Sequence, residues 1–154
     1  MLILGLDPGS TRVGYGLIKK EKNDLKLIEC GLLKVLSKDK GQRLLEIEKD
    51  LSGLIKKHKP DLISLERLFF MKNMKTALDV AQSRGVLTLL TAKYKIPLLE
   101  FSPSEIKIAA TGYGLADKKA VAKMVAKILK TDKIGKIDDI SDALATAICA
   151  ACHV

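Results

Sequence analysis

Two apolar runs in this chain each end on a carboxylate: Met1-Leu2-Ile3-Leu4-Gly5-Leu6-Asp7 and Asp61-Leu62-Ile63-Ser64-Leu65-Glu66. Short apolar runs bounded by turn residues read as buried strands. Such runs suit the buried strands of a sheet covered by helices. Two further acids, Asp139 and Asp142, stand three residues apart near the C-terminus. Carboxylates that converge on one point repel each other unless a cation lies between them.

The remaining pattern supplies the elements around those strands. Asp7-Pro8-Gly9-Ser10 is a turn signal. Val13–Lys19 and Leu25–Leu36 read as strands, the second broken or bulged at Gly31, and their short connections predict antiparallel hairpins. Leu44, Leu45, Ile47, Glu48, Leu51, Leu54 and Ile55 fall at helical spacing, which predicts a helix over 41–58 that stops at Lys59-Pro60. A second helix is expected over 77–94 and a strand over 97–101. Ser102-Pro103-Ser104-Glu105 has the N-cap serine, first-turn proline and glutamate of a capping box. Asp117 is expected to cap a helix striped by Val121, Met124, Val125, Ile128 and Leu129. Residues 132–136 read as a loop and 139–152 as a final helix of small residues.

The order is three strands, then helix–strand–helix–strand, then helices. A crossover helix returns its strand parallel to its partner. The expected fold is therefore a five-stranded mixed sheet, three antiparallel strands followed by two parallel ones, flanked by helices. If 61–65 lies beside 2–6, Asp7 and Glu66 emerge at one sheet edge, where ligands of open α/β sheets gather. Asp139 and Asp142, at i,i+3 spacing, share a helix face that can approach the same edge.

Length and composition bound the partners. At 154 residues the chain is expected to form one domain, residues 1–154. Its net charge of +9 comes mainly from lysine, 23 of the 27 basic residues, and suits a polyanion such as nucleic acid. No apolar stretch reaches the ~18–20 residues that span a bilayer, and no signal peptide is visible. A cytoplasmic protein with reduced cysteines is expected. Cys149-Ala150-Ala151-Cys152-His153 spells a haem-attachment string. That chemistry requires export, and the same letters suit a terminal helix packed on a sheet, so no haem is expected. Four carboxylates are hard oxygen ligands, suited to Mg²⁺ or Mn²⁺ rather than zinc. A pair of such ions can assist phosphodiester cleavage.

Beyond this reading, the chain resembles the RuvC-type Holliday-junction resolvases. The likeness rests on Leu4-Gly5-Leu6-Asp7-Pro8-Gly9-Ser10 with Gly14-Tyr15-Gly16, and on Glu66-Arg67-Leu68-Phe69 with Lys72-Asn73. It continues through Gln82-Ser83-Arg84-Gly85, Gly112-Tyr113-Gly114-Leu115-Ala116-Asp117-Lys118, and Asp139-Ile140-Ser141-Asp142-Ala143-Leu144-Ala145. These segments keep the family's order and spacing over essentially the whole chain. The resemblance implies an RNase H-like fold and a homodimeric endonuclease that nicks two symmetric strands of a four-way DNA junction. It implies Asp7, Glu66, Asp139 and Asp142 as catalytic acids and metal ligands. The implied cofactor is Mg²⁺, two ions per site, with Mn²⁺ able to substitute. DNA contacts are implied at Phe69, Lys72, Asn73, Arg84, Lys107 and Lys118, with Phe69 stacking on or wedging between bases. The RuvA and RuvB branch-migration machinery is the implied partner. Two departures stand out: Asp138 adds an acid beside the third position, and Thr11-Arg12-Val13 differs in residue order, leaving Arg12 without a role.

Three other readings share parts of this pattern. A non-catalytic junction-binding protein would need the lysines without acids at the sheet edge. A related RNase H-like resolvase-type nuclease could act on RNA. Asp7-Pro8-Gly9-Ser10 also resembles the phosphate loop of actin-like kinases and chaperone ATPases, which require two such domains around a cleft.

Overall fold

The computed structural model describes residues 1–9, 11–67, 74–132, 134 and 137–154, with the side chains of Met74 and Lys75 left aside. Expected contacts at Phe69, Lys72 and Asn73 lie outside the described residues. Five strands, β1 (Leu2–Pro8), β2 (Val13–Glu21), β3 (Asp24–Leu32), β4 (Leu62–Glu66) and β5 (Leu98–Phe101), form one sheet in the order β3-β2-β1-β4-β5. β1 to β3 are antiparallel, and β4 and β5 continue parallel to β1. This is the mixed sheet expected from the element order.

Alternation along the strands sorts side chains onto two covered faces. Leu4, Leu6, Ile63 and Leu65 pack with Ile47, Leu51 and Ile55 of α1 (Lys40–His58) and Leu87 and Leu90 of α2 (Met74–Lys93). Ile3, Ile18 and Leu62 face the other way, onto α3 (Pro103–Thr111), α4 (Lys118–Ile128) and α5 (Asp138–Ala151). Every residue of α5 from Ala143 to Ala151 is buried. Helix α5 packs onto β1, β2 and β4, and small side chains bring its backbone close to the sheet. A Cβ built on Gly5 would fall 2.0 Å from the Ala143 carbonyl oxygen, and one on Gly16 would fall 2.4 Å from a Leu144 methyl. Those glycines form the trench in which α5 lies.

The helix starts follow their sequence signals. Ser102 and Glu105 form the full capping box of α3, and Asp117 accepts from the Ala120 N–H at 2.7 Å to start α4. Helix α1 ends on Lys59 in the left-handed region (φ 50°).

Two expectations at β3 are corrected. The strand ends at Leu32, not Leu36: Leu33 N–H makes one last bond to the Val13 carbonyl (2.9 Å), and the backbone beyond it turns to α1. Asp50 accepts from the Lys34 N–H (2.6 Å), and Glu46 accepts from those of Leu36 (2.7 Å) and Ser37 (3.1 Å). The irregularity also lies elsewhere. Register shifts where Leu17 and Ile18 of β2 face Glu29 and Leu27, leaving Ile28 as the extra residue. Gly31 instead makes room for the Tyr15 ring, 3.1 Å from where its Cβ would be. Tyr15 Oη donates to Glu29 (3.0 Å), and burial followed by that hydrogen bond pushes the phenol up to about 12.

Candidate active site at the carboxyl edge of the sheet

Parallel register places the first two acids. Leu6 pairs with Leu65, so Asp7 and Glu66 each follow the same rung on neighbouring strands. Side chains at one level of adjacent parallel strands share a face, with strands ~4.8 Å apart. Ile3, Gly5 and Asp7 of β1, and Leu62, Ser64 and Glu66 of β4, all point toward α5. Gly14, opposite Asp7 on β2, fixes the other side: a Cβ there would lie 2.1 Å from the Asp139 carbonyl oxygen. The first turn of α5 therefore sits directly on the sheet edge, and its Asp139 and Asp142 face Asp7. Among the described residues no side chain caps this helix, and Asp138 and Asp139 in its first turn complement the dipole.

The electrostatics record that convergence. Burial pushes the Asp7 carboxyl up to about 7, and the charges of Asp142, Asp139 and Glu66 add to the shift. Glu66 is also raised, first by burial and then by Asp142, against the opposing pull of Lys118, Lys107 and Arg84. Asp7 thus feels the charge of the other three acids, and Glu66 feels that of Asp142. Asp138 takes no part in the shift at Asp7, and its side chain is 70% exposed against 23% for Asp139. Geometry accordingly separates the two adjacent acids and puts 139 at the centre.

Two cations hold the outer acids. Arg12 Nε lies 3.2 Å from Asp139 Oδ2. That oxygen is shielded from solvent yet lacks a hydrogen bond among the described residues. Lys118 Nζ donates to Asp142 Oδ2 at 3.1 Å and lies 3.9 Å from Asp138. Desolvation opposes the charge of Lys118, but its bond to Asp142 and the surrounding acids hold its pKa above the usual value. With Asp139 drawn to Arg12 and Asp142 to Lys118, no group of three or more His, Cys, Asp or Glu among the described residues is closed into a metal cage.

Lys107 and Lys118 join Glu66 and Asp142 around one open cavity of about 240 Å³, walled by Pro103, Ile106, Val121 and Thr146. Arg84 is placed differently from a free DNA contact. Its guanidinium, 13% exposed, donates to the Glu66 carbonyl oxygen and to Glu100, bracing the end of β4 from behind. Arg12 is the site residue that sequence reading left without a role; only its nearness to Asp7 in the chain hinted at it. Cys149, Cys152 and His153 serve the C-terminal helix. Burial, then Cys152, pushes the Cys149 thiol up to about 12, and His153 bonds the Cys149 carbonyl and leans on the Phe101 ring.

A mixed five-stranded sheet of this order, with acids at the carboxyl edge of its central strands and an acidic helix laid across them, is an RNase H-like nuclease fold. A family model described as "Crossover junction endodeoxyribonuclease RuvC" matches residues 3–150. A relative of that name from Prochlorococcus marinus is 45% identical over 152 residues, covering 97% of this chain and 95% of its own. Another from Petrotoga mobilis is 43% identical over 150 residues, covering 97% and 92%. The solved structure "T. thermophilus RuvC in complex with Holliday junction substrate" superposes with a TM-score of 0.90 at 26% identity, covering 98% of this chain and 93% of that one. The chain belongs to the RuvC family of crossover junction endodeoxyribonucleases.

Proposed function

We propose that this chain is a metal-dependent endonuclease that resolves Holliday junctions by nicking two symmetric strands, leaving nicks that can be ligated. The observation that carries the reading is the arrival of Asp139 and Asp142, on α5, beside Asp7 and Glu66 at the ends of β1 and β4. A basic chain has no structural need to gather four acids at a half-buried edge. The donor set suits Mg²⁺, with Mn²⁺ as a substitute, and Asp139 Oδ2, which lacks a hydrogen bond among the described residues, offers an oxygen to a metal once it leaves its ion pair with Arg12. Asp7, Glu66, Asp139 and Asp142 would hold two ions. When bound, such ions supply Lewis-acid stabilisation of the scissile phosphate and a water of lowered pKa.

The protein's own groups do the positioning. Lys107 and Lys118 line the cavity beside Glu66 and Asp142 and neutralise phosphate charge there. Arg84 fixes the backbone that carries Glu66. Phe69, Lys72 and Asn73 follow Glu66 in the chain and are proposed to meet junction DNA, Phe69 as a base-stacking wedge. Paired cuts require two active sites, hence a homodimer. Exposed Leu78 (67%) and Leu89 (64%) on α2, with Gly85 between them facing open space, form an apolar stripe suited to that contact. The whole chain, 1–154, acts as one cytoplasmic nuclease domain that receives junctions from RuvA and RuvB.

A synthetic four-way junction incubated with the protein and Mg²⁺ is expected to show nicks at symmetric positions in two opposing strands, and none in chelator. Binding without nicks under both conditions would favour the non-catalytic reading.

A further inference from the structure

At the far end of the sheet from the acids, a second cavity of about 510 Å³ opens where β4 and β5 begin. Its volume falls in the range of ligand pockets, and its floor is Ile55, Pro60, Tyr94, Ile96 and Pro97. Lys56, Lys59 and Lys95 stand on the rim, all exposed, and none of them has an ion-pair or hydrogen-bonded side-chain partner among the described residues. The only acid in the lining, Asp61, is already committed to the Leu2 N–H at 2.7 Å.

The walls are preformed. Helix α1 ends as Lys59 N–H donates to the Ile55 carbonyl (2.8 Å), and α2 ends as Ile96 N–H donates to Thr91 (2.9 Å). Both chain reversals place a lysine in the left-handed region, Lys59 at φ 50° and Lys95 at φ 55°. Glycine would adopt that backbone without strain. Lysine there keeps the bend and adds a cation at the cavity mouth.

We infer that this cavity is a docking site for an acidic peptide segment of a partner protein, one that seats an apolar or aromatic side chain on the Ile55–Tyr94–Ile96 floor and sets carboxylates against Lys56, Lys59 and Lys95. The apolar floor favours a peptide over nucleic acid. A phosphate backbone can use the lysine rim but gains nothing from the recessed floor, which suits an apolar side chain. Five residues of β4, roughly 13 Å, separate this cavity from Glu66, so a peptide can sit here while the acid edge engages its substrate.

The test uses the full-length chain and a fluorescein-labelled peptide, Asp-Glu-Asp-Glu-Leu-Phe, read by fluorescence anisotropy. Controls are the same peptide ending Ser-Ser and a short labelled single-stranded DNA. The expected result is binding that weakens about tenfold or more in Lys59→Glu/Lys95→Glu, and by a similar factor when Leu-Phe becomes Ser-Ser. Asp7→Asn is expected to leave it unchanged. Junction cleavage by the double reversal is expected to match the parent, which separates this site from the nuclease reading. The inference is overturned if the peptide does not bind, if the Ser-Ser peptide binds equally well, if the reversal leaves peptide binding intact, or if it abolishes DNA binding instead.

Discussion

Arg12 Nε stands 3.2 Å from Asp139 Oδ2, so an arginine from the β1–β2 turn occupies the charge space beside a candidate metal ligand. The two side chains are 59% and 23% exposed, which weakens the pair through solvent screening. A cation this close still competes with a divalent ion. Arg12→Gln is expected to tighten Mn²⁺ binding to the DNA-free protein by about threefold, measured by calorimetry. Unchanged or weaker binding would show that Arg12 serves the site in another way.

Gly14 and the Asp139 carbonyl meet with no room for a methyl group. Gly14→Ala must therefore shift backbone against backbone, moving the first turn of α5 off the sheet edge. Expected effects are destabilisation of about 2–3 kcal/mol by chemical denaturation and a fall in junction cleavage of about 100-fold or more. Junction binding by gel shift should change far less. Near-normal cleavage would mean that α5 need not seat here.

Lys118 bridges Asp142 and Asp138 while lining the cavity with Glu66 and Lys107. Lys118→Met is expected to weaken junction binding, to reduce its dependence on the logarithm of salt concentration by about one, and to slow cleavage by about tenfold or more. An unaltered salt slope would place Lys118 away from phosphate.

Asp7 gives the site a pH signature. In an unfolded chain its carboxyl titrates near ~4, whereas in the fold it is pushed up to about 7. Between those values the folded state binds more protons, so this contribution to stability is fully present below the lower value and lost as pH rises through the upper one. In chelator, Asp7→Asn is expected to raise stability over the parent by about 2 kcal/mol near ~pH 8, with the gap closing toward ~pH 4. Equal denaturation midpoints at both pH values would contradict a crowded, buried Asp7.

The order of elements and the two carboxylate-ended runs make the sheet and its acidic edge legible in the sequence. Parallel pairing followed from the crossover rule, and Leu6↔Leu65 supplies the register that the rule leaves open. What stayed hidden depends on contacts remote in sequence. The need for glycine at 5, 14 and 16 comes from α5, whose backbone and Leu144 fill the space a Cβ would take. The end of β3 was invisible because Asp50 and Glu46, on a later helix, capture its continuation. The pairing of Arg12 with Asp139 spans most of the chain, and the bracing of Glu66 by Arg84 depends on where α2 runs.

The central claim is that Asp7, Glu66, Asp139 and Asp142 hold divalent ions together. Crystals soaked in Mn²⁺ test it directly through anomalous scattering. The account predicts peaks roughly 2.0–2.3 Å from carboxylate oxygens of Asp7 and at least two of the other three acids, with Asp139 released from Arg12. Fully occupied Mn²⁺ elsewhere, with this edge empty and the Arg12–Asp139 pair intact, would contradict it.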